Sequence, residues 1–277
     1  MKKGWKIFAI ICAVLAGLGV VLCIAGFAIG VTDEDVRGAV HRGIGFITDD
    51  DDDDNDDFDN RTLQSAKTVK EGEFPNAKGI DVEVNKVKVE VVATDENVIR
   101  VKNATDEEAG IVIREEGSTL EIETSRRGNR TDNGGRLTIY VPRNMKLTEA
   151  NVQVNEGAID LSGIQSNELE LSVERGEITA ADFTVGELSV SCGQGAANIK
   201  GTAQADIDLE CGVAAINLET KGAQTDYNYE IEVGAGEVNL GGQTFSGLAV
   251  EKTINNHAGK EMGIDCATGK VNVTFVQ

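Results

Sequence analysis

The sequence predicts an all-β protein: a β-solenoid, or β-helix-like stack, of coils about 20 residues long, preceded by one transmembrane α-helix. Three observations carry this expectation. Apolar and polar residues alternate from residue 79 onward, a unit of constant internal phase recurs through the C-terminal half, and one long uncharged apolar run stands near the N-terminus. Composition agrees, because only 4% of the 277 residues are aromatic and 2 are proline whereas 32 are glycine, which suits short strands and tight turns better than a helical core.

Residues 1–6 are expected to form a cytoplasmic N-terminus and residues 7–30 the transmembrane helix. The stretch from Ile7 to Gly30 carries no charge; at about 1.5 Å per residue it reaches roughly 36 Å, against a hydrocarbon core of about 30 Å. A secretory signal peptide is the competing reading, since Gly26-Phe27-Ala28 resembles a small-x-small cleavage site. Signal h-regions are only about 7–15 residues long, which favours a retained anchor. Cys12 and Cys23 follow Ile11 and Leu22, residues too large for a lipoprotein acceptor site, so they read as buried apolar thiols. Lys2, Lys3 and Lys6 precede the span and Asp33, Glu34 and Asp35 follow it. The positive-inside bias therefore keeps the short tail in the cytoplasm and places the rest outside. A single-pass protein of the cell membrane with an extracytoplasmic C-terminal domain is the expected localisation.

Residues 31–79 read as a juxtamembrane segment and an acidic, Asp-rich linker. Thr32-Asp33-Glu34-Asp35 has capping-box spacing ahead of a short amphipathic pattern at Val36, Ala39 and Val40. Asp49 to Asp54, then Asn55, Asp56, Asp57 and Asp59, cannot pack, because neighbouring carboxylates repel and nothing apolar intervenes before Phe58. An extended, solvated spacer follows. The run lacks the turn glycine and closing glutamate of an EF-hand loop, so calcium would be held diffusely rather than in a cage.

Residues 80–277 are expected to form the extracytoplasmic domain, with 80–146 supplying N-terminal strands or a cap and 147–277 the repeats. Half-buried strands are predicted at Ile80, Val82 and Val84, at Val87, Val89 and Val91, and in later pulses that end with Leu137, Ile139 and Val141. From Leu147 the repeat is anchored on Gly157, Gly176, Gly195, Ala214, Gly236 and Gly269, with steps of 19, 19, 19, 22 and 33 residues. The last step absorbs an insertion around Phe245 to Lys260. Five columns are apolar in every row. Seven residues before the anchors stand Ala150, Leu169, Leu188, Ile207, Tyr229 and Met262; three before them stand Val154, Val173, Cys192, Cys211, Val233 and Cys266. The other three columns run five before, two after and four after the anchors.

One such unit cannot fold alone. About five apolar side chains at 1.5–3 kcal/mol each fall short of the ordering entropy of about 20 residues at 1–2 kcal/mol each. Stacking resolves the deficit by turning the columns into interior ladders. A β-sandwich would predict alternating strand directions and no fixed repeat, which suits residues 80–145 better than 147–277.

Chemistry is sparse. The formal charge of −21 makes nucleic acid a poor partner. His41 and His257 are the two histidines and lie far apart in sequence. No nucleophile elbow, zinc-protease helix, Walker loop or dinucleotide fingerprint is present. Catalytic, cofactor-binding and metal-binding residues are accordingly assigned to none.

Cys192, Cys211 and Cys266 share a column with valines and read as small buried residues. Cys192 and Cys211 would sit about 4.8 Å apart on neighbouring coils, within reach of a disulfide, but three thiols cannot all pair. Asp160, Thr179, Asn198, Asn217, Asn239 and Asn272 form a polar column, read as stacked amides, with a ligand-facing row as the alternative. Glu170, Asp208, Glu210, Glu230 and Glu232 gather on one outward face, where they serve solubility and edge protection.

Leu137-Thr138-Ile139-Tyr140-Val141-Pro142, followed by Lys146-Leu147 and then by coils of the form Val-x-x-Gly-x-Ile-x-Leu, resembles the putative adhesin domain family, a bacterial cell-envelope domain of unknown function. The corners Glu156-Gly157-Ala158-Ile159, Arg175-Gly176-Glu177-Ile178 and Ala235-Gly236-Glu237-Val238 carry the likeness, while Gly195-Ala196-Ala197 and Ala214-Ala215-Ile216 depart from it. The resemblance spans roughly residues 80–277 and implies a membrane-anchored, non-enzymatic, adhesin-like surface protein. Its expected partners are cell-wall polymer or another envelope protein. Envelope-stress sensing through a membrane partner is the second reading. A polysaccharide-acting β-helix enzyme is the third, disfavoured because Phe183, Tyr227, Tyr229 and Phe245 offer few aromatic platforms.

Overall fold

The computed structural model describes residues 70–105, 110–124 and 135–277. The transmembrane helix and nearly all of the acidic linker lie outside them. Among the described residues no helix is long and apolar enough to cross a membrane.

Alternation at period two produces strands almost throughout. The parallel body is built from β2 (Gly79–Val84) and β3 (Lys88–Thr94), β6 (Thr119–Thr124) and β7 (Arg136–Pro142), and β8 (Lys146–Leu147) and β9 (Ala150–Ser162). It continues through β10 (Gln165–Ala203), which winds through two coils, and β11 (Ile207–Lys221). The last parallel layers are β12 (Tyr227–Val233) with β13 (Glu237–Leu240), and β16 (Lys260–Cys266) with β17 (Lys270–Val276). Antiparallel strands close both ends: β1 (Glu71–Phe74), β4 (Ile99–Asn103) and β5 (Ile111–Glu116) at one, β14 (Gln243–Ser246) and β15 (Val250–Ile254) at the other.

The repeat register is realised. Leu169 pairs with Ala150 and Leu188 with Ile207, each a step of 19 residues. Every position in the five apolar columns is buried. Residues 80–146 join the same solenoid, because Ile80 and Val82 lie over Leu120 and Ile122 on one side and under Ala150 and Val152 on the other. Val89 and Val91 are likewise sandwiched between Leu137 and Ile139 and between Ile159 and Leu161.

Spatial order departs from chain order at both ends. Beyond β11 the chain skips a layer, lays down β12 and β13, caps them with antiparallel β14 and β15, and returns as β16 and β17 to fill the gap. Ile207 therefore faces Met262, and Met262 faces Tyr229. The insertion that lengthens the last repeat step is this cap. At the other end β6 and β7 fill the layer between the early β2–β3 coil and the antiparallel β5 and β4.

The corner glycines are required where the coils touch most closely. Gly157, Gly176 and Gly195 have φ of 151°, 144° and 130°, and a Cβ on Gly176 or Gly195 would strike the carbonyl of the glycine one coil below. Ala214, Gly236 and Gly269 continue the column without positive φ, so the corner changes conformation after the third coil of the repeat.

Candidate functional site: two polar faces and a thiol column

Residues two and four after each anchor point inward, so the residue between them points out. This geometry makes the predicted asparagine column a continuous amide ladder. Asn217 Nδ2 donates to Asn198 Oδ1 at 3.0 Å, Asn272 Nδ2 to Asn217 Oδ1 at 2.8 Å, and Asn239 Nδ2 to Asn272 Oδ1 at 2.9 Å. Thr244 Oγ1 closes the row by donating to Asn239 Oδ1 at 2.7 Å. The ladder follows spatial order, passing through Asn272 before Asn239. Toward the other end the row continues as Thr179, Asp160, Glu90 and Thr138 in register. There Lys88 Nζ bridges Asp160 and Glu90 at 2.5 and 3.4 Å, and its hydrogen bond to Asp160 raises the ammonium pKa.

A second outward face, on the strand before the corner, is acidic. Burial, and then neighbouring carboxylates, raise the pKa of Asp81, Glu170, Asp208 and Glu232; Asp265 is raised by burial and then by Glu210. Relief is limited to amides such as Asn151 Nδ2, which donates to Asp81 Oδ1 at 3.0 Å. Asp208 leans over Gly263 in the next coil, where any Cβ would collide with its carboxylate. Among the described residues no group of three or more His, Cys, Asp or Glu side chains converges to hold a metal ion. His257 stands exposed in the loop after β15 at φ 56°.

The cysteine column is buried, and its thiols are free. Cys211 is in register with Cys192 on one side and with Cys266 on the other. The proximity of the two thiols, and then burial, raises the Cys211 pKa, and the same proximity lowers that of Cys266. Cys211 Sγ also lies 3.2 Å from the Ala214 carbonyl oxygen, which accepts from it. Burial alone raises Cys192. The Cys211–Cys266 contact escapes a reading based on consecutive repeats, because the coil bearing Cys266 is displaced from its place in the sequence.

Phe183, Tyr227 and Tyr229 are interior, with the two tyrosine hydroxyls donating to the carbonyls of Ala203 and Gln224 at 3.4 and 2.6 Å. Tyr227 also packs against Phe275, their ring centroids 6.0 Å apart. These rings fill the core and leave the outward carboxylates without an aromatic platform formed by them.

A capped β-solenoid with an amide row on one face and a carboxylate row on another defines the class of protein. The chain belongs to the Toastrack DUF4097 family, whose model matches residues 77–275. This agrees with the resemblance read from the glycine corners. Similar solved structures include a Clostridium sporogenes chain described as a putative cell adhesion protein, 18% identical with a TM-score of 0.38, covering 75% of this chain and 99% of that one. A Parabacteroides distasonis chain described as a putative lipid binding protein is 18% identical with a TM-score of 0.33, over 74% of this chain and 95% of that one. A Bacteroides fragilis chain described as a putative adhesin is 10% identical with a TM-score of 0.29, over 76% and 99%. No curated protein matches the chain.

Proposed function

We propose that the protein is a membrane-anchored, non-enzymatic interaction module of the cell surface, adhesin-like in action. In this reading the apolar run at 7–30 holds the chain in the cell membrane, the acidic linker is a spacer, and the solenoid outside presents its faces to cell-wall polymer. The observation that carries it is the outward Asn198–Asn217–Asn272–Asn239 ladder. Asn217 and Asn272 each use one N–H and one oxygen lone pair on their neighbours, which leaves further donor and acceptor capacity on the row, while Asn239 also donates to Glu237 Oε1 at 2.8 Å. Repeated at about 4.8 Å by strand pairing, such a row matches a partner that is itself repetitive. The interior placement of Phe183, Tyr227 and Tyr229 supports the absence of glycan-cleaving chemistry.

The test uses intact cells and purified wall. Full-length protein should co-sediment with wall polymer without releasing product, and replacing Asn198, Asn217, Asn239 and Asn272 together by threonine should weaken that binding about tenfold, equivalent to roughly 1.4 kcal/mol. Binding unchanged by the four replacements would remove the ladder from the function. A single membrane-protein cross-link in cells, with no loss of wall attachment on deletion, would replace adhesion with sensing.

A further inference from the structure

The interleaved C-terminal coil brings together two thiols that the repeat would keep apart. Cys211 on β11 and Cys266 on β16 are register partners. Facing positions on adjacent strands stand about 4.8 Å apart, inside the Cα range that a disulfide spans. Corner glycines make room for both: a Cβ on Gly269 would lie 2.5 Å from Cys211 Sγ, and one on Gly236 would lie 2.6 Å from Cys266 Sγ. The location matters, since in the described pairings β12 joins only β15 and β16, and β13 joins only β14 and β17. The strand pairing that joins the C-terminal cap to the body thus runs through the coil that carries Cys266.

We propose that Cys211 and Cys266 form a structural disulfide that fastens the β16–β17 coil to β11, with Cys192 remaining a thiol. The oxidant is a low-molecular-weight disulfide of the glutathione class. Cys266 thiolate attacks one of its sulfurs and expels a thiolate, giving a mixed disulfide; Cys211 thiolate then attacks the Cys266 sulfur and expels the second. Two electrons pass to the reagent, and the two protons lost by the cysteines end on the two released thiols. Because both sulfurs are buried in the finished stack, exchange takes place before the last coil docks. In the cell this requires the oxidising side of the membrane and so rests on the localisation proposed above, whereas the chemistry can be tested apart from it.

Each thiol of the column falls on its own tryptic peptide: Cys192 on residues 176–200, Cys211 on 201–221 and Cys266 on 261–270. Full-length protein is refolded with oxidised glutathione, alkylated and digested without reductant. The expected product links 201–221 to 261–270 and leaves 176–200 alkylated, with a rise in the guanidinium midpoint that reductant reverses. Cys266→Val, which copies Val154, Val173 and Val233 of the same column, should fold and lose that rise, and Cys192→Val should keep it. A link between 176–200 and 201–221, full alkylation of all three peptides, or a reductant-sensitive midpoint that persists in Cys266→Val would overturn the proposal.

Discussion

Gly176 shows how much one residue carries in a stack. Its backbone sits at φ 144° against the Gly157 carbonyl, and Gly195 repeats the arrangement one coil further on. A methyl there meets both a strained conformation and a carbonyl with no room to yield. Gly176→Ala should therefore lower the unfolding free energy by about 2–3 kcal/mol. Ala214→Gly, in the same column but without positive φ, should cost only about 0.5–1 kcal/mol. Guanidinium titration of the two variants checks the contrast, and equal losses would refute the corner argument. The amide row gives a milder case: Asn217→Ala removes two exposed ladder bonds and should cost about 1 kcal/mol in the same assay. Glycine anchors and the asparagine column are both legible from phase alone, since a residue's distance from its anchor fixes whether it points in or out. The fact that Asn217 donates toward Asn198 and accepts from Asn272 is not legible, because it depends on which coil lies above.

Among the elements, the strands preceding the corner bear the electrostatic cost of a chain with a formal charge of −21. Asp81, Glu170 and Glu232 are half-buried carboxylates and Asp208 and Asp265 exposed ones, all pushed up first by desolvation and then by other acids, chiefly Glu83 on Asp81, Glu168 on Glu170, Asp206 on Asp208, and Asp265 on Glu232. A pKa higher in the folded state than in the unfolded chain means that folding binds protons, so the penalty is full above the raised values and fades as pH falls through them. Glu237 and Glu96 act in the opposite sense, held low by Lys270 and Arg100. Their contribution is lost only below the ordinary carboxylate range near 4. Stability should therefore rise as pH falls from 8 toward the ordinary carboxylate range and fall again in stronger acid, and added salt should flatten the rise by screening the repulsion. Asp208→Asn should raise the melting temperature at pH 8 more than at pH 5. Thermal melts across that interval at two ionic strengths decide the matter; a melting temperature that falls steadily from pH 8 to 5 would contradict it. The sequence exposes the acidic face, but not how closely neighbouring coils press its carboxylates together.

Across the molecule, a repeat specifies the phase of each coil without specifying its order. The five columns of Met262 to Val273 are as apolar as those of Ile207 to Leu218, so hydrophobic matching permits either neighbour, and the antiparallel β14–β15 cap decides by occupying the outer edge of β12 and β13. One coil is then left between two preformed edges, and the C-terminal segment fills it. In a quasi-one-dimensional stack stability resides in nearest-neighbour interfaces, so removing that coil should cut the solenoid at one plane and leave the layers below it intact. A chain ending at Gly259 should keep slow amide exchange through residues 150–203 and lose it across 227–254. Adding a peptide of residues 260–277 in trans should restore protection to 227–254, since a terminal coil needs no threading to enter its slot. Protection of 227–254 without the peptide would mean that β12 and β13 dock directly on β11, and the interleaved order would not be what holds the cap in place.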